Sequence, residues 1–424
     1  MKRKALAALA TLGICLSASA QLDYNPEFMK LLQEDHTRAG INTNSYEFEP
    51  LSDTKAPKGY KPFYISHYGR HGSRSDWGGP VYEGLVKSLE AAKAEGILTS
   101  DGESLLEEAR MVSLKHDGMN GRLTPRGVHE HAQLAERMYN RYRRVFRKGS
   151  HKIRSVSSTV QRCIISMNGF TNRLSALDPK LDISLDTGEK MMEYINNSCP
   201  ADVQRESGKL LDSLRTSYVP DTLYTLNMLF TDPKRGAELC GGASALQWSI
   251  FSTARVADPF EIDRDVFRYL PDDAIYHIWE YFNMDLYLRQ CNSVEFGLRR
   301  TPESEPLVQD IVTKADEAIA TGEYAADLRF GHDFPILSLA GYLGLEGVGD
   351  RLTFEEARKG WFGPANVPFA ANLQMIFYRN RKGGDILVKF LYDEKETKIR
   401  GLDSYSGPYY RWEDVKANIK GYLR

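Results

Sequence analysis

The chain has 424 residues, 42% of them hydrophobic, and carries 55 Lys+Arg against 57 Asp+Glu for a formal net charge of −2. Such a length and apolar content give one large or two ordinary domains a sizeable core. A balance on the acidic side excludes bulk attraction to nucleic acid, so any affinity for anions must come from a local pocket.

Met1-Lys2-Arg3-Lys4, the apolar run 5–16 and Ala18-Ser19-Ala20 before Gln21 form the three-part layout of a secretory signal, with cleavage predicted after Ala20. The run is too short to span a bilayer, and no later stretch is long and apolar enough to be a membrane helix. Removing residues 1–20 takes away Lys2, Arg3 and Lys4 and no acid, leaving 52 Lys+Arg against 57 Asp+Glu, a formal charge of −5. The reading is a soluble exported protein, periplasmic in a Gram-negative source. Cys163, Cys199, Cys240 and Cys291 remain. Export permits up to two disulfides among them, but Cys163 in an apolar helical pattern reads as a buried thiol, and none has metal-ligand spacing.

Residues 61–66 predict a strand that leads into Arg70-His71-Gly72-Ser73-Arg74. Arginine forks bind phosphate oxygens bidentately, and an imidazole between them can attack phosphorus. Gly72 removes a side chain where the backbone must bring a dianion close. Five residues alone are as readily a solvated turn, so the rest of the chain decides.

Helical patterns follow at 81–95, stopped by Gly96, and at 104–114. A loop rich in Gly and Asn then reaches Leu123-Thr124-Pro125-Arg126-Gly127, where Thr124 caps a helix with Pro125 at its first position. That helix is expected to run to about Phe146. Its basic end, Arg137, Arg141, Arg143, Arg144, Arg147 and Lys148, reads as a solvated face favoured by the helix dipole, over the rival reading of a polyanion-docking patch. His129 and His131, two apart on a helix, point to different faces and make no metal pair.

Residues 152–157 predict a second strand, followed by Ser158-Thr159-Val160-Gln161-Arg162 and an apolar helix over 163–170. This repeats the first motif: strand, small-residue turn, and an arginine in the first turn of a helix whose N-terminus favours an anion. From 177 to 321 helical segments dominate, among them 206–217, 223–230, 273–289 and 305–320, and predict an insertion that covers or shapes a site. A third strand, 325–330, ends at Gly331-His332-Asp333 before an apolar helix at 335–345. Strands at 372–378 and 385–392, joined through Asn380-Arg381-Lys382-Gly383-Gly384 as a hairpin, and a helix at 412–422 complete the chain.

Three strand ends thus supply Arg70, His71 and Arg74, then Arg162, then His332 and Asp333. Ligands of open α/β sheets bind outside the carboxyl ends of the strands, so these residues can converge. The expected fold is α/β, a doubly wound, mostly parallel sheet flanked by helices, with a core of residues 21–176 and 322–424 and a helical cap insertion over 177–321.

The combination of Arg70-His71-Gly72-Ser73-Arg74, Leu123 and Thr124 with Gly127, Gln161-Arg162 and His332-Asp333 resembles the histidine acid phosphatases, the large-insert branch of the histidine phosphatase superfamily. Leu328-Arg329-Phe330-Gly331-His332 and Asn372-Leu373-Gln374 look most like bacterial multiple inositol polyphosphate phosphatases and related phytases. Two positions depart from the pattern: Asp76 stands where the family often has proline, and His332-Asp333-Phe334 where the animal-type enzymes carry His-Ala-Glu.

The resemblance implies a phosphomonoesterase in which His71 forms a phosphohistidine and Asp333 is the proton donor. Arg70, Arg74, Arg162 and His332 then bind the phosphate, with no metal or cofactor. The implied partner is a small-molecule phosphate ester, inositol polyphosphates such as phytate among them, with neither nucleic acid nor membrane span. A phosphotransferase or phosphomutase, and a phosphate-ester binding protein that breaks no bond, remain as alternatives. Lys115, His116, Arg122, Arg126, Glu280 and Tyr281 are candidates for an outer pocket.

Overall fold

The computed structural model describes residues 25–76, 79–216, 221–361, 363 and 367–422. The expected signal segment, 1–20, lies outside them. Eight strands among the described residues form one sheet: β1 (Tyr60–Arg70), β2 (Lys152–Ser157), β3 (Asp182–Thr187), β4 (Tyr324–Gly331), β5 (Asn372–Asn380), β6 (Leu387–Tyr392), β7 (Lys395–Thr397) and β8 (Tyr409–Arg411). Their order is β3-β2-β4-β1-β5-β6-β7, with β8 also on β6. The β3-β2-β4-β1 half is parallel, and β5 to β8 pair antiparallel.

From Tyr64 onward every residue of β1 is buried, as a central strand covered on both faces requires. Successive side chains of a strand point to opposite faces, and here they feed two separate cores. Tyr64 and Tyr68 of β1 with Leu373, Met375 and Phe377 of β5 enter the larger one. Ile65, with Ala326 and Leu328 of β4 and Ile376 of β5, enters the other, beneath helices Pro125–Arg141 and Gln161–Leu177.

Helices occur where periodicity and caps place them. Thr99 and Thr124 cap Ser100–His116 and Pro125–Arg141 through their side chains, the latter with Pro125 in the first turn. The second helix does not run on to Phe146 as expected: it breaks at Tyr142, and a short helix, Arg143–Lys148, follows. The stretch read as helical insertion contains one strand, β3, whose residues are mostly exposed and which pairs with β2 at the sheet edge. Its sequence, DISLDT, places Ile183 and Leu185 on one face, but two apolar residues are too few to announce a strand in the sequence.

Between β3 and β4 the chain is helical, and the Asp272–Gln290 helix, buried on most sides, joins the same apolar cluster as Tyr64 and Tyr68. This helix is thereby packed into the core on one face of the sheet. All four cysteines in the described residues are free thiols, with Cys163 and Cys291 buried.

Candidate active site

Parallel pairing sets the site. Arg70 of β1 lies opposite Gly331 of β4, so His71 and His332 leave neighbouring strand ends. The His71 N–H donates to the Gly331 carbonyl at 2.9 Å. On the far side of β4, the Ser158 N–H donates to the Phe330 carbonyl at 3.0 Å, and Arg162 stands in the first turn of the next helix. Asp333 opens the Asp333–Leu343 helix.

All six residues singled out in the sequence meet here. The His71 and His332 rings are 5.6 Å apart, edge to face. Arg162 Nη2 donates to His332 Nδ1 at 3.3 Å, Arg70 Nη2 lies 3.0 Å from Asp333 Oδ2, and the Arg70 and Arg74 guanidiniums flank the Phe369 ring at 4.5 and 5.9 Å.

The loop carrying His71 is held by backbone proximity. A Cβ on Gly72 would stand 2.4 Å from the Gly127 carbonyl, and one on Gly127 equally close to the Ser73 carbonyl, so both glycines of the two motifs are steric requirements. Buried Glu130 receives the Ser73 N–H at 2.7 Å and its hydroxyl at 2.6 Å. Thr124 donates to the Ser73 carbonyl through its backbone and its hydroxyl. His116 caps the same loop through Ser75, its Nδ1 2.7 Å from the hydroxyl.

His71 Nδ1 is 2.9 Å from the Gly72 carbonyl. A carbonyl only accepts, so Nδ1 carries the proton and Nε2 keeps its lone pair. Burial, then Arg70, Arg162, Arg74 and His332, hold the His71 pKa well below 6.5, so the ring stays neutral in acid. Burial and Arg162 push His332 down to about 4; it accepts from Arg162 at Nδ1, so its Nε2–H faces Ser158 Oγ at 3.1 Å. For Asp333, burial acts upward, but Arg70, Arg74 and the Asn42 hydrogen bond outweigh it and lower the pKa.

The arginines retain donor capacity. Arg70 spends Nη1 on the carbonyls of Asn42 and Val367, both at 2.8 Å. Its Nε and Nη2 and the Nε of Arg74 are buried without a hydrogen-bond partner among the described residues, the Asp333 ion pair being out of line. Buried orphan donors are costly, and several in one cationic pocket call for an oxyanion. No group of three or more metal-ligating side chains occurs among the described residues.

Several contributors were invisible in the sequence. Asn42, from the N-terminal segment, donates through Nδ2 to Asp333 Oδ2 at 2.8 Å and accepts at Oδ1 from Arg255 Nη2 at 3.1 Å. It follows Ile41, whose φ of 60° is strained for a β-branched residue. The segment is pinned where Asn25 caps the Pro26–Glu34 helix and Phe28 stacks on Trp279 at 3.6 Å.

Of the outer-pocket candidates, Lys115 and Arg122 are exposed. Arg126 is paired with Asp258 at 2.9 Å, at the edge of a cavity of about 650 Å³ that Glu130 and Arg255 also line. Glu280 is buried against Arg358, and Tyr281 packs edge-on against Trp248.

Residues 69–210 match the histidine phosphatase superfamily (branch 2). No curated protein matches. Among solved structures, the chain is similar to the Bifidobacterium longum multiple inositol polyphosphate phosphatase in complex with inositol hexasulfate. That pair is 18% identical with a TM-score of 0.70, covering 90% of this chain and 97% of that one. It is also similar to the phytase from D. castellii (12% identical, TM-score 0.62, 96% and 90% covered) and to Hafnia alvei phytase in complex with tartrate (14%, 0.53, 87% and 98%). The fold is common to all of them.

Proposed function

We propose that this chain, a branch 2 member of the histidine phosphatase superfamily, is a phosphomonoesterase that works through a phosphohistidine. The observation that carries the reading is the neutral His71 Nε2 among buried arginine donors that have no hydrogen-bond partner among the described residues, beside the carboxyl group of Asp333. Arg70, Arg74, Arg162 and His332 hold the equatorial phosphoryl oxygens and offset the charge that develops on them.

His71 Nε2 forms a bond to phosphorus in line as the P–O ester bond breaks, and Asp333 gives its proton to the departing alkoxide. Water then attacks the phosphohistidine, its proton passes to the Asp333 carboxylate, and the N–P bond breaks to release phosphate. Every step balances on the side chains present. The dianionic substrate raises Asp333 toward protonation, against the arginines that lower it when the site is free.

Inositol polyphosphates are the substrate class to which the structural neighbours lead. A phosphate-release panel of phytate, sugar phosphates and an aryl phosphate at acidic pH tests the reading. Release from phytate ahead of the others is expected; binding of esters with no release from any of them would instead establish a binding protein, and transfer to an added alcohol a phosphotransferase. Export rests on the signal layout of residues 1–20 and agrees with the lack, among the described residues, of a helix able to cross a membrane.

Asn42 serves as a positioning residue for the proton donor. Its amide donates to Asp333 Oδ2 and so favours the carboxylate; Arg70, Arg74 and His332 act in the same direction. Asn42→Leu is expected to lower kcat about ten-fold with little change in KM. It should also move the alkaline limb of the kcat profile to higher pH, because losing the donor raises the Asp333 pKa. A pH–rate profile with the limb in its original place would reduce Asn42 to a packing role.

A further inference from the structure

The basic run that closes the Pro125–Arg141 helix does not act as one solvated face. Arg137 is bound to Glu394, Arg141 to Asp53, Arg143 to Asn140 and Arg147 to the Tyr139 hydroxyl. Arg144 and Lys148 instead turn toward the N-terminal end of β1. There they meet Lys61 of β1, Arg379 of β5, and Arg381 and Lys382 of the hairpin that follows.

Two adjoining hollows, of about 120 and 520 Å³, share Lys61, Arg144 and Arg381 as walls, so together they make one groove. Among the described residues no carboxylate lines it, and none of these six cations is within ion-pair distance of one. The accumulation is local, since the whole chain is net negative.

The pairing register makes the accumulation costly. Lys61 and Arg379 are directly opposite each other across the antiparallel β1–β5 pair. Like charges in that position repel, and an anion between them removes the repulsion. Arg379 is held over the Phe63 ring at 4.2 Å, which fixes its guanidinium at the groove.

We propose that this groove docks a linear polyanion bearing a phosphate on every unit, a tethering site separate from the active site. A recess shared by two hollows fits a chain that threads it. A flat lipid surface has less to hold, because none of the exposed large apolar side chains lines the groove to enter a bilayer. Lys61 is the second residue of the strand that His71 follows, so roughly 30 Å separates the two. A bound chain therefore leaves the catalytic pocket open.

Inorganic polyphosphate of defined length is the probe, titrated against the full mature chain. Its affinity is expected to fall at least about ten-fold between roughly 50 and 200 mM salt, as counterion release requires. Arg144→Glu with Arg381→Glu should weaken binding at least about ten-fold while aryl phosphate hydrolysis stays within about two-fold. Lys61→Ser with Lys382→Ser, both at exposed positions, provides an independent variant should the first fold poorly.

Wild-type affinity in both variants would overturn the proposal. So would displacement of polyphosphate by inorganic phosphate at concentrations that only fill the active site, since the chain would then be sitting on Arg70, Arg74 and Arg162. Binding to anionic phosphatidylglycerol vesicles without binding to polyphosphate would overturn it in favour of a membrane surface.

Discussion

Replacing His71 with alanine is expected to lower phosphomonoester turnover by about 10⁴-fold or more while leaving phosphate binding largely intact. Nucleophiles that form covalent intermediates carry effects of this order, because without them neither half of the reaction has a route. Binding is expected to survive because Arg70, Arg74 and Arg162 make no hydrogen bond to the imidazole; its Nδ1 is engaged by the Gly72 carbonyl. Removing the ring also leaves the buried donors of Arg70 and Arg74 in place.

Two measurements separate this outcome from simple unfolding. Calorimetric titration with inorganic phosphate should give an affinity within a few-fold of the wild type. Quenching under alkaline conditions, where phosphohistidine persists, should trap label from a radioactive ester on the wild type and none on His71→Ala. Label on the variant, or turnover within ten-fold of the wild type, would place the nucleophile elsewhere.

The parts of this site legible in the sequence are those concentrated at strand ends. Arg70, His71 and Arg74 follow an apolar run, Arg162 follows a second, and His332 with Asp333 a third, so local pattern and chemistry coincide. Thr124 and Pro125 marked a helix start that the structure reproduces. Asn42 could not be found this way. It lies in a short irregular helix, and its importance arises only because the segment is carried past Trp279 and back to Asp333.

Glu130 is similar: one acid in an amphipathic helix looks like any other until the Ser73 N–H is seen to end on it. β3 escaped because its alternation rests on Ile183 and Leu185 alone, and β7 and β8, three residues each, are too short to show a period. The basic run illustrates the opposite limit. Sequence adjacency made six cations look alike, whereas the fold assigns four to internal partners and delivers two to a groove built with residues more than two hundred positions away.

Asp333→Asn carries the second large expectation, a loss that depends on the leaving group. An amide keeps the shape and the Asn42 contact site but has no proton to give at any pH. For an alkyl phosphate such as an inositol phosphate, whose alkoxide is a poor leaving group, kcat should fall by about 10²- to 10⁴-fold, the usual worth of general acid catalysis. For a nitrophenyl phosphate, whose phenolate departs unaided, the first step should fall far less.

The pH dependence follows with its sign fixed. In the wild type His71 is kept neutral in acid by burial and the arginines, so the proposed nucleophile is available there. On the proposed mechanism Asp333 donates only when protonated, so kcat is expected to decline as pH rises through the pKa of Asp333 in the substrate complex. Asp333→Asn removes the titrating group, so this alkaline decline should vanish from the residual activity. Stopped-flow measurement of phenolate release and of phosphate release, each across acidic to alkaline pH, resolves the two steps. Equal losses for both leaving groups, or an alkaline limb that persists in the variant, would mean that another group supplies the proton and that Asp333 only orients Arg70, from which it lies 3.0 Å.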